Sequence, residues 1–177
     1  MPMPSERAKR KDVYLAKTTQ EFSTFAKQGV CMTGNAFASV LIIKGQEDFE
    51  EQELSALRAS LEHLGYAPEA WATMLTTTKH GREIDPTLLR QAIIAFSPHT
   101  VLIVNDAARI SFCTAYADDL TQLGSAEEQQ LSPRLLVHVC GMRVVNLDNF
   151  SQALGDSHQK QMRWSAIKQV PPLGEPY

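Results

Sequence analysis

The sequence predicts an α/β fold: three layers, α/β/α, around a mostly parallel central sheet of four to five strands. Three observations carry this. Short apolar runs at Ala38 to Ile43, Trp71 to Thr77 and Thr100 to Asn105 read as strands, the first and last buried on both faces. Segments with apolar residues at helical spacing alternate with these runs. Gly, Pro and Asp residues stand at the junctions, where chain reversals and helix starts need them. Continuous apolar strands joined by amphipathic crossovers require helices on both faces of the sheet.

The elements follow in order. Residues 1–30 are expected to form an N-terminal arm, partly flexible, ahead of a single domain over 31–170 and an irregular tail over 171–177. The arm carries two prolines and the basic cluster Arg7, Lys9, Arg10 and Lys11. Such a cluster is either a solvated tail or an electrostatic arm for an acidic partner. A helix is possible over Val13 to Ala26, although its period is poor. The first strand runs into Gly45. Asp48 then offers an N-cap with Glu51 three residues on, and Leu54, Leu57, Leu61 and Leu64 mark a helix that stops at Gly65. Lys79 to Glu83 reads as a polar loop. Asp85-Pro86 opens a second helix, with Leu88, Leu89, Ala92, Ile93 and Phe96 facing the core and Ser97-Pro98 ending it. Another helix is expected over Ala107 to Ala117, and a polar loop over Gln122 to Gln130. Leu135 to Val139 and Met142 to Leu147 flank Cys140-Gly141 and suggest a hairpin. A last helix, about His158 to Val170, would bury Met162, Ala166, Ile167 and Val170 and place Trp164 on its flank.

Composition narrows the function classes. The chain has 177 residues, 44% apolar and 21% charged, which suits one globular domain with a real core. A net charge of −3 makes no global case for nucleic acid, although a basic groove can sit on a mildly acidic domain. The three cysteines, Cys31, Cys113 and Cys140, are odd in number and lack CxxC spacing. That argues against a disulfide framework, a zinc site or an iron–sulfur cluster, and for free thiols in a reducing cytoplasm. No metal, cofactor or membrane partner is expected. No apolar run approaches the roughly 20 residues of a membrane span, and no apolar stretch follows the basic N-terminus as in a secretory signal.

In open α/β sheets ligands bind beyond the carboxyl ends of the strands. That rule places Lys44 to Asp48, Thr76 to Arg82, Asn105-Asp106 and Asp148 to Ser151 along one edge. Glu47 has two readings there. It is a catalytic carboxylate at a strand exit, or one of four acids (Glu47, Asp48, Glu50, Glu51) that favour a helix N-terminus through its dipole. The dipole accounts for all four. Lys79, His80 and Arg82 on the loop, and Lys160, Arg163 and Lys168 on the last helix, are either phosphate contacts or solvated surface.

Several segments match one family in order. GNAFASVLII followed by GQEDF, LGYAPEAWATMLTTTKHGR, IDPTLLRQAIIAFSPHTVLIVNDAA, and VVNLDNFSQALGDSHQKQMRWSAIKQV together cover Gly34 to Val170. They resemble the uracil-DNA glycosylase superfamily, with Ser151, Leu154, Lys160 and Trp164 in register with its last motif. The resemblance implies a domain that flips a base into a dry pocket and stabilises charge during glycosidic cleavage. A carboxylate would come from the segment Gly45, Gln46 and Glu47. Gly45, Gln46, Phe49, Met74, Asn105 and Ser151 would line the ligand pocket.

The chemistry departs from the family. Its base-reading asparagine corresponds to Met74, which cannot hydrogen-bond an amide edge. Its histidine corresponds to Asn149, which is neutral. Its motif prolines correspond to Asp48 and Phe150. The expected role is therefore a binding module for protein or nucleic acid in DNA replication or repair. In layout it is similar to the psi subunit of bacterial DNA polymerase III, which resembles this fold and engages the clamp loader through an N-terminal segment. The alternative is an active glycosylase of altered base preference using Glu47.

Overall fold

The structure is a computed structural model and describes residue 20 and residues 22–173. The basic cluster Arg7, Lys9, Arg10 and Lys11 lies outside the described residues. So do most of the N-terminal helix expectation and the last four residues.

A six-stranded mixed sheet has helices on both faces. Its strands are β1 (Met32–Gly34), β2 (Val40–Lys44), β3 (Trp71–Leu75), β4 (Thr100–Ile103), β5 (Leu136–Val139) and β6 (Met142–Asn146), in the order β1-β3-β2-β4-β6-β5. The four central strands are parallel, while β1 and β5 run antiparallel at the edges. The sheet thus exceeds the expected four to five strands. The addition the sequence hides is β1, three residues long and mostly exposed, too short for a period-two pattern to register.

Alternation along the strands sorts the core. In β2, Leu41 and Ile43 join the cluster on one face, and Val40 and Ile42 the cluster on the other. In β4, Val101 and Ile103 part in the same way from Leu102. Helices α2 (Pro86–Phe96) and α3 (Asp106–Ala115) cover the first face through Leu89, Ile93, Ala108 and Phe112. Helices α1 (Glu51–Leu64) and α6 (Ser157–Ile167) cover the second through Leu57, Leu61, Ala166 and Ile167. Residues 22–27 are helical, and Phe22, Phe25 and Val30 pack on the first cluster, so the described end of the expected arm belongs to the body of the fold.

Local chemistry explains most boundaries. Asp85 caps α2 by accepting from Thr87 N at 2.9 Å, with Pro86 in the first turn. Asp156 caps α6 by accepting from His158 N at 2.9 Å. Cys140 and Gly141, at φ 49° and 80°, form the two-residue turn that joins β5 to β6, a hairpin geometry requiring positive φ at both positions. Two short helices, α4 (Ala117–Leu120) and α5 (Ala126–Gln129), follow α3, the second inside the expected loop over Gln122 to Gln130. At the amino end of the sheet, Arg143 donates to Thr100 Oγ1 at 2.9 Å and Pro171 O at 2.8 Å. Tyr66 donates to Val170 O at 2.6 Å, which fixes the end of the last helix to the sheet.

The predicted capping box is absent. α1 begins at Glu51, and its preceding residue, Glu50, makes no side-chain cap bond. Asp48 is instead held by its carbonyl, which accepts from Lys44 Nζ at 3.1 Å.

At Gly45 the first turn of α3 packs tightly against the exit of β2. A Cβ there would lie 2.6 Å from Thr76 Oγ1, 2.9 Å from Ala107 Cβ and 3.0 Å from Ala108 N. Gly124 has nothing within 4 Å of the same position. Gly45→Ala is expected to cost ~1–3 kcal/mol as overpacking does, and Gly124→Ala little or nothing. Urea unfolding of both variants checks this.

Candidate functional site

The carboxyl ends of β3, β2, β4 and β6 share one edge. The chain passes from β2 to β3 on one side and then returns across β2 to β4 on the other. The switch point, where such sheets usually open a ligand crevice, therefore lies between β2 and β4. Here a side chain closes it. Asn105 Oδ1 accepts from Gly45 N at 3.0 Å and from Ala108 N at 3.1 Å, and its Nδ2 donates to Gly45 O at 2.7 Å. One amide thus clips the exit of β2 and caps α3. Gly45 and Asn105, expected in a ligand pocket, are structural: their polar groups are spent on each other.

The loop after Gly45 is set from below. Lys44 is the last residue of β2 and follows Val40 and Ile42 on the α1 face. Its Nζ meets Glu53 Oε2 at 2.7 Å, with the side chains 2% and 1% exposed. Nζ also donates to Asp48 O at 3.1 Å and lies 5.7 Å from the centre of the Phe49 ring. Glu53 Oε1 has no partner among the described residues. A charged pair in so little water is stabilised by further hydrogen bonds, and the loop carbonyl supplies one to the ammonium. That displaces Asp48 from the helix end. Gln46 takes up the bend at φ 66°, a left-handed conformation costly for a non-glycine residue.

An open cleft of about 420 Å³ lies beside this loop, on the β3 side of the edge. Gln46, Glu47, Asp48 and Phe49 line it from the loop, Thr33 and Thr73 from β1 and β3, and Thr77 to Lys79 from the segment beyond β3. The Thr33 and Thr73 hydroxyls hydrogen-bond each other. Glu47 and Asp48 are exposed. The cleft therefore offers carboxylates, hydroxyls and one ammonium to a solvent-filled space.

The other predicted pocket residues are elsewhere. Met74 is 1% exposed and belongs to the core on the α2–α3 face, so it does not line the cleft. Strand alternation explains this, because Thr73 and Leu75 take the cleft side. Asn149 is outside the cleft too. It sits at φ 53° after Asp148 at φ 55°, in a left-handed turn before the 3-10 helix Phe150–Gly155, and its Oδ1 accepts from Asp106 N at 3.4 Å. Phe150 is buried in the second core, and Ser151 is half-buried on the 3-10 helix. Glu47 lines the cleft and Asn149 does not.

The basic candidates divide likewise. Lys79, His80 and Arg82 are exposed on the loop, with only Lys79 lining the cleft. Lys160 is exposed on α6. Arg163 is buried: its Nε donates to Leu147 O at 3.1 Å, and its terminal nitrogens donate to Asp148 O and Gln159 Oε1. The expected phosphate contact is in fact a clamp on the turn after β6.

The groups with displaced pKa values lie away from the cleft. Burial pushes Tyr116 up to about 12, against the pull of Arg90, and its hydroxyl has no partner among the described residues. The hydrogen bond from Arg90 holds Asp119 below the usual carboxylate range. Burial raises Cys140, with Asp119 adding to the shift. On the other face of the sheet burial raises Tyr66, opposed by Arg143. Displaced pKa values often mark functional centres; here they mark packing at α2–α4 and at the amino edge. Among the described residues no group of three or more His, Cys, Asp or Glu is placed to hold a metal ion, and no helix is long and apolar enough to cross a membrane.

Sequence reasoning missed Lys44 and Glu53. The available signal was a lysine closing a run of buried strand residues and a glutamate at an inward helix position. Neither a protein-family model nor a curated protein matches this chain.

Lys44→Met alone strands Glu53 in the core and is expected to cost ~3–5 kcal/mol, and Glu53→Met alone a comparable amount. The double variant is expected to recover most of the loss, because two apolar side chains replace two charges. A double-mutant cycle in urea measures this.

Proposed function

We propose that this chain is a non-catalytic binding domain, built on a scaffold similar to the uracil-DNA glycosylases and engaging a protein partner. One observation carries the reading. The crevice expected at the switch point is closed by Asn105, and Asn149, the position that matches the family's histidine, does not line the cleft that Glu47 lines. Cleavage of a glycosidic bond needs a base held in a dry pocket between charge-stabilising groups. Met74 and Phe150 instead lie in the two cores on opposite faces of the sheet. The resemblance supplies DNA replication or repair as the setting.

A protein is favoured over nucleic acid because the basic candidates do not form a track. Arg163 is buried against carbonyls, Lys160 lies on α6, and Lys79 shares its cleft with Glu47 and Asp48. A phosphate backbone needs a continuous run of exposed cations, and the exposed candidates here are split between the loop after β3 and α6.

The competing reading is an active glycosylase of altered base preference that uses Glu47. One observation favours it: Glu47 and Phe49, a carboxylate and an aromatic ring, line the same cleft. Base release from single- and double-stranded DNA carrying uracil, hypoxanthine or xanthine separates the two. No release by wild type or Glu47→Ala is the expected result. Release by wild type that disappears in Glu47→Ala would make Glu47 the catalytic carboxylate and overturn the proposal.

A further inference from the structure

A second cleft lies between α1 and the 3-10–α6 pair and has a volume of about 360 Å³. Ala56 of α1, Phe150 and Leu154 of the 3-10 helix and Trp164 of α6 give it an apolar lining. Among the described residues, the charged side chains that line it are Lys160 and Arg163. It shares Ser60 and Trp164 with a shallow depression that also includes His63. The His63 ring lies edge-on to Trp164 at 5.4 Å, and Lys168 Nζ is 5.6 Å from the centre of the same ring. Half-buried Trp164 thus has His63 and Lys168 against its ring and shares the cleft lining with Lys160 and Arg163, on a chain whose net charge is −3.

We infer that this groove docks an acidic, apolar peptide segment of a protein partner, one large apolar side chain entering beside Trp164 and carboxylates facing Lys160 and Lys168. The inference deepens the proposed binding role and rests on it. The volume suits one or two side chains. Tryptophan and arginine are the residue types that most often carry interface energy, and apolar grooves between helices receive amphipathic segments. Arg163 is already committed to the carbonyls of Leu147 and Asp148, which keeps that wall of the groove rigid. Lys160 takes part in none of the ion pairs among the described residues, so its charge is available to a partner. Charge complementarity selects the acidic partner: a basic segment would meet the cations without a compensating carboxylate in the groove lining.

The test uses the full chain labelled with nitrogen-15. Three probes are added up to ~1 mM, the scale of weak association: a blocked ten-residue peptide of Glu, Leu and Phe, its counterpart with Lys for every Glu, and a ten-nucleotide thymidine strand. The acidic peptide is expected to shift the amides of Ala153 and Leu154 and the indole N–H of Trp164. Lys160→Glu, an exposed change that leaves the fold intact, is expected to weaken that binding on the order of fivefold. No shift at these residues, equal shifts with the lysine peptide, or stronger shifts with the oligonucleotide would each overturn the groove assignment. Shifts confined to residues 76–82 would overturn it while leaving a binding role at the strand edge. Base release in the glycosylase assay would defeat the binding reading by a separate route.

Discussion

The carboxyl edge of the sheet is organised around one buried ion pair, Lys44 to Glu53. Its members come from different elements: the last residue of β2 and the third residue of α1. Removing two charges from water is expensive, and their attraction repays the cost only when geometry and further hydrogen bonds are good. The pair is therefore weak evidence for stability and better evidence for uniqueness. An ammonium with Glu53 on one side and the Asp48 carbonyl on another admits one path for the intervening chain. Gln46 accepts a left-handed conformation because both ends of the loop are fixed. The entry angle of α1 follows, and with it the inward placement of Leu57 and Leu61.

A second clip completes that edge. Asn105 ties Gly45 to the first turn of α3, so β2 is fixed to one helix by a side-chain amide and to another by an ion pair. Glycine is required at position 45 by proximity, since its neighbours leave no room for a Cβ. Beyond β6, Arg163 holds two consecutive carbonyls of the turn in which Asp148 and Asn149 are both left-handed. Three polar side chains thus spend their hydrogen bonds on backbone groups at the strand ends. Backbone left unsatisfied in so tightly packed an edge would cost more than the side chains lose.

How much of this was legible in the sequence depends on the kind of signal. β2 and β4 were readable because burial on both faces leaves a continuous apolar run, and α2 because Asp85-Pro86 is a local cap with a local cause. The hairpin at Cys140-Gly141 was readable for the same reason. β1 was not, because three residues carry no period. The start of α1 misled: Asp48 and Glu51 have capping-box spacing, but a tertiary contact to Lys44 outweighs a local bond worth ~1 kcal/mol. At the site the ordering along the chain was informative and the direction of side chains was not. Asn105 and Gly45 did fall on the predicted edge, where one amide satisfies the other residue's backbone. Arg163 has the spacing of a surface cation on α6, and only the position of the turn after β6 reveals that its guanidinium points inward.

That distinction bears on what a resemblance of motifs can transfer. A glycosylase site depends on side chains with unused hydrogen-bonding capacity converging on an enclosed space. Here three side chains near the strand ends spend theirs on the fold, Asn105 on Gly45 and α3, Arg163 on the turn and Lys44 on Glu53, while Glu53 Oε1 and Thr76 Oγ1 are buried without a partner among the described residues. Glu47 retains its capacity, but it stands at an open cleft among exposed polar groups. The groove between α1 and α6 has the opposite character, apolar with cations and no acid in its lining. A surface of that kind recognises shape and charge together, without the enclosure that bond cleavage demands. The contacts at the strand ends also tie α1 and α6 to the sheet, through Glu53 and Arg163. The same polar economy therefore argues against an active centre at one end of the sheet and for a preorganised docking face on one side of it.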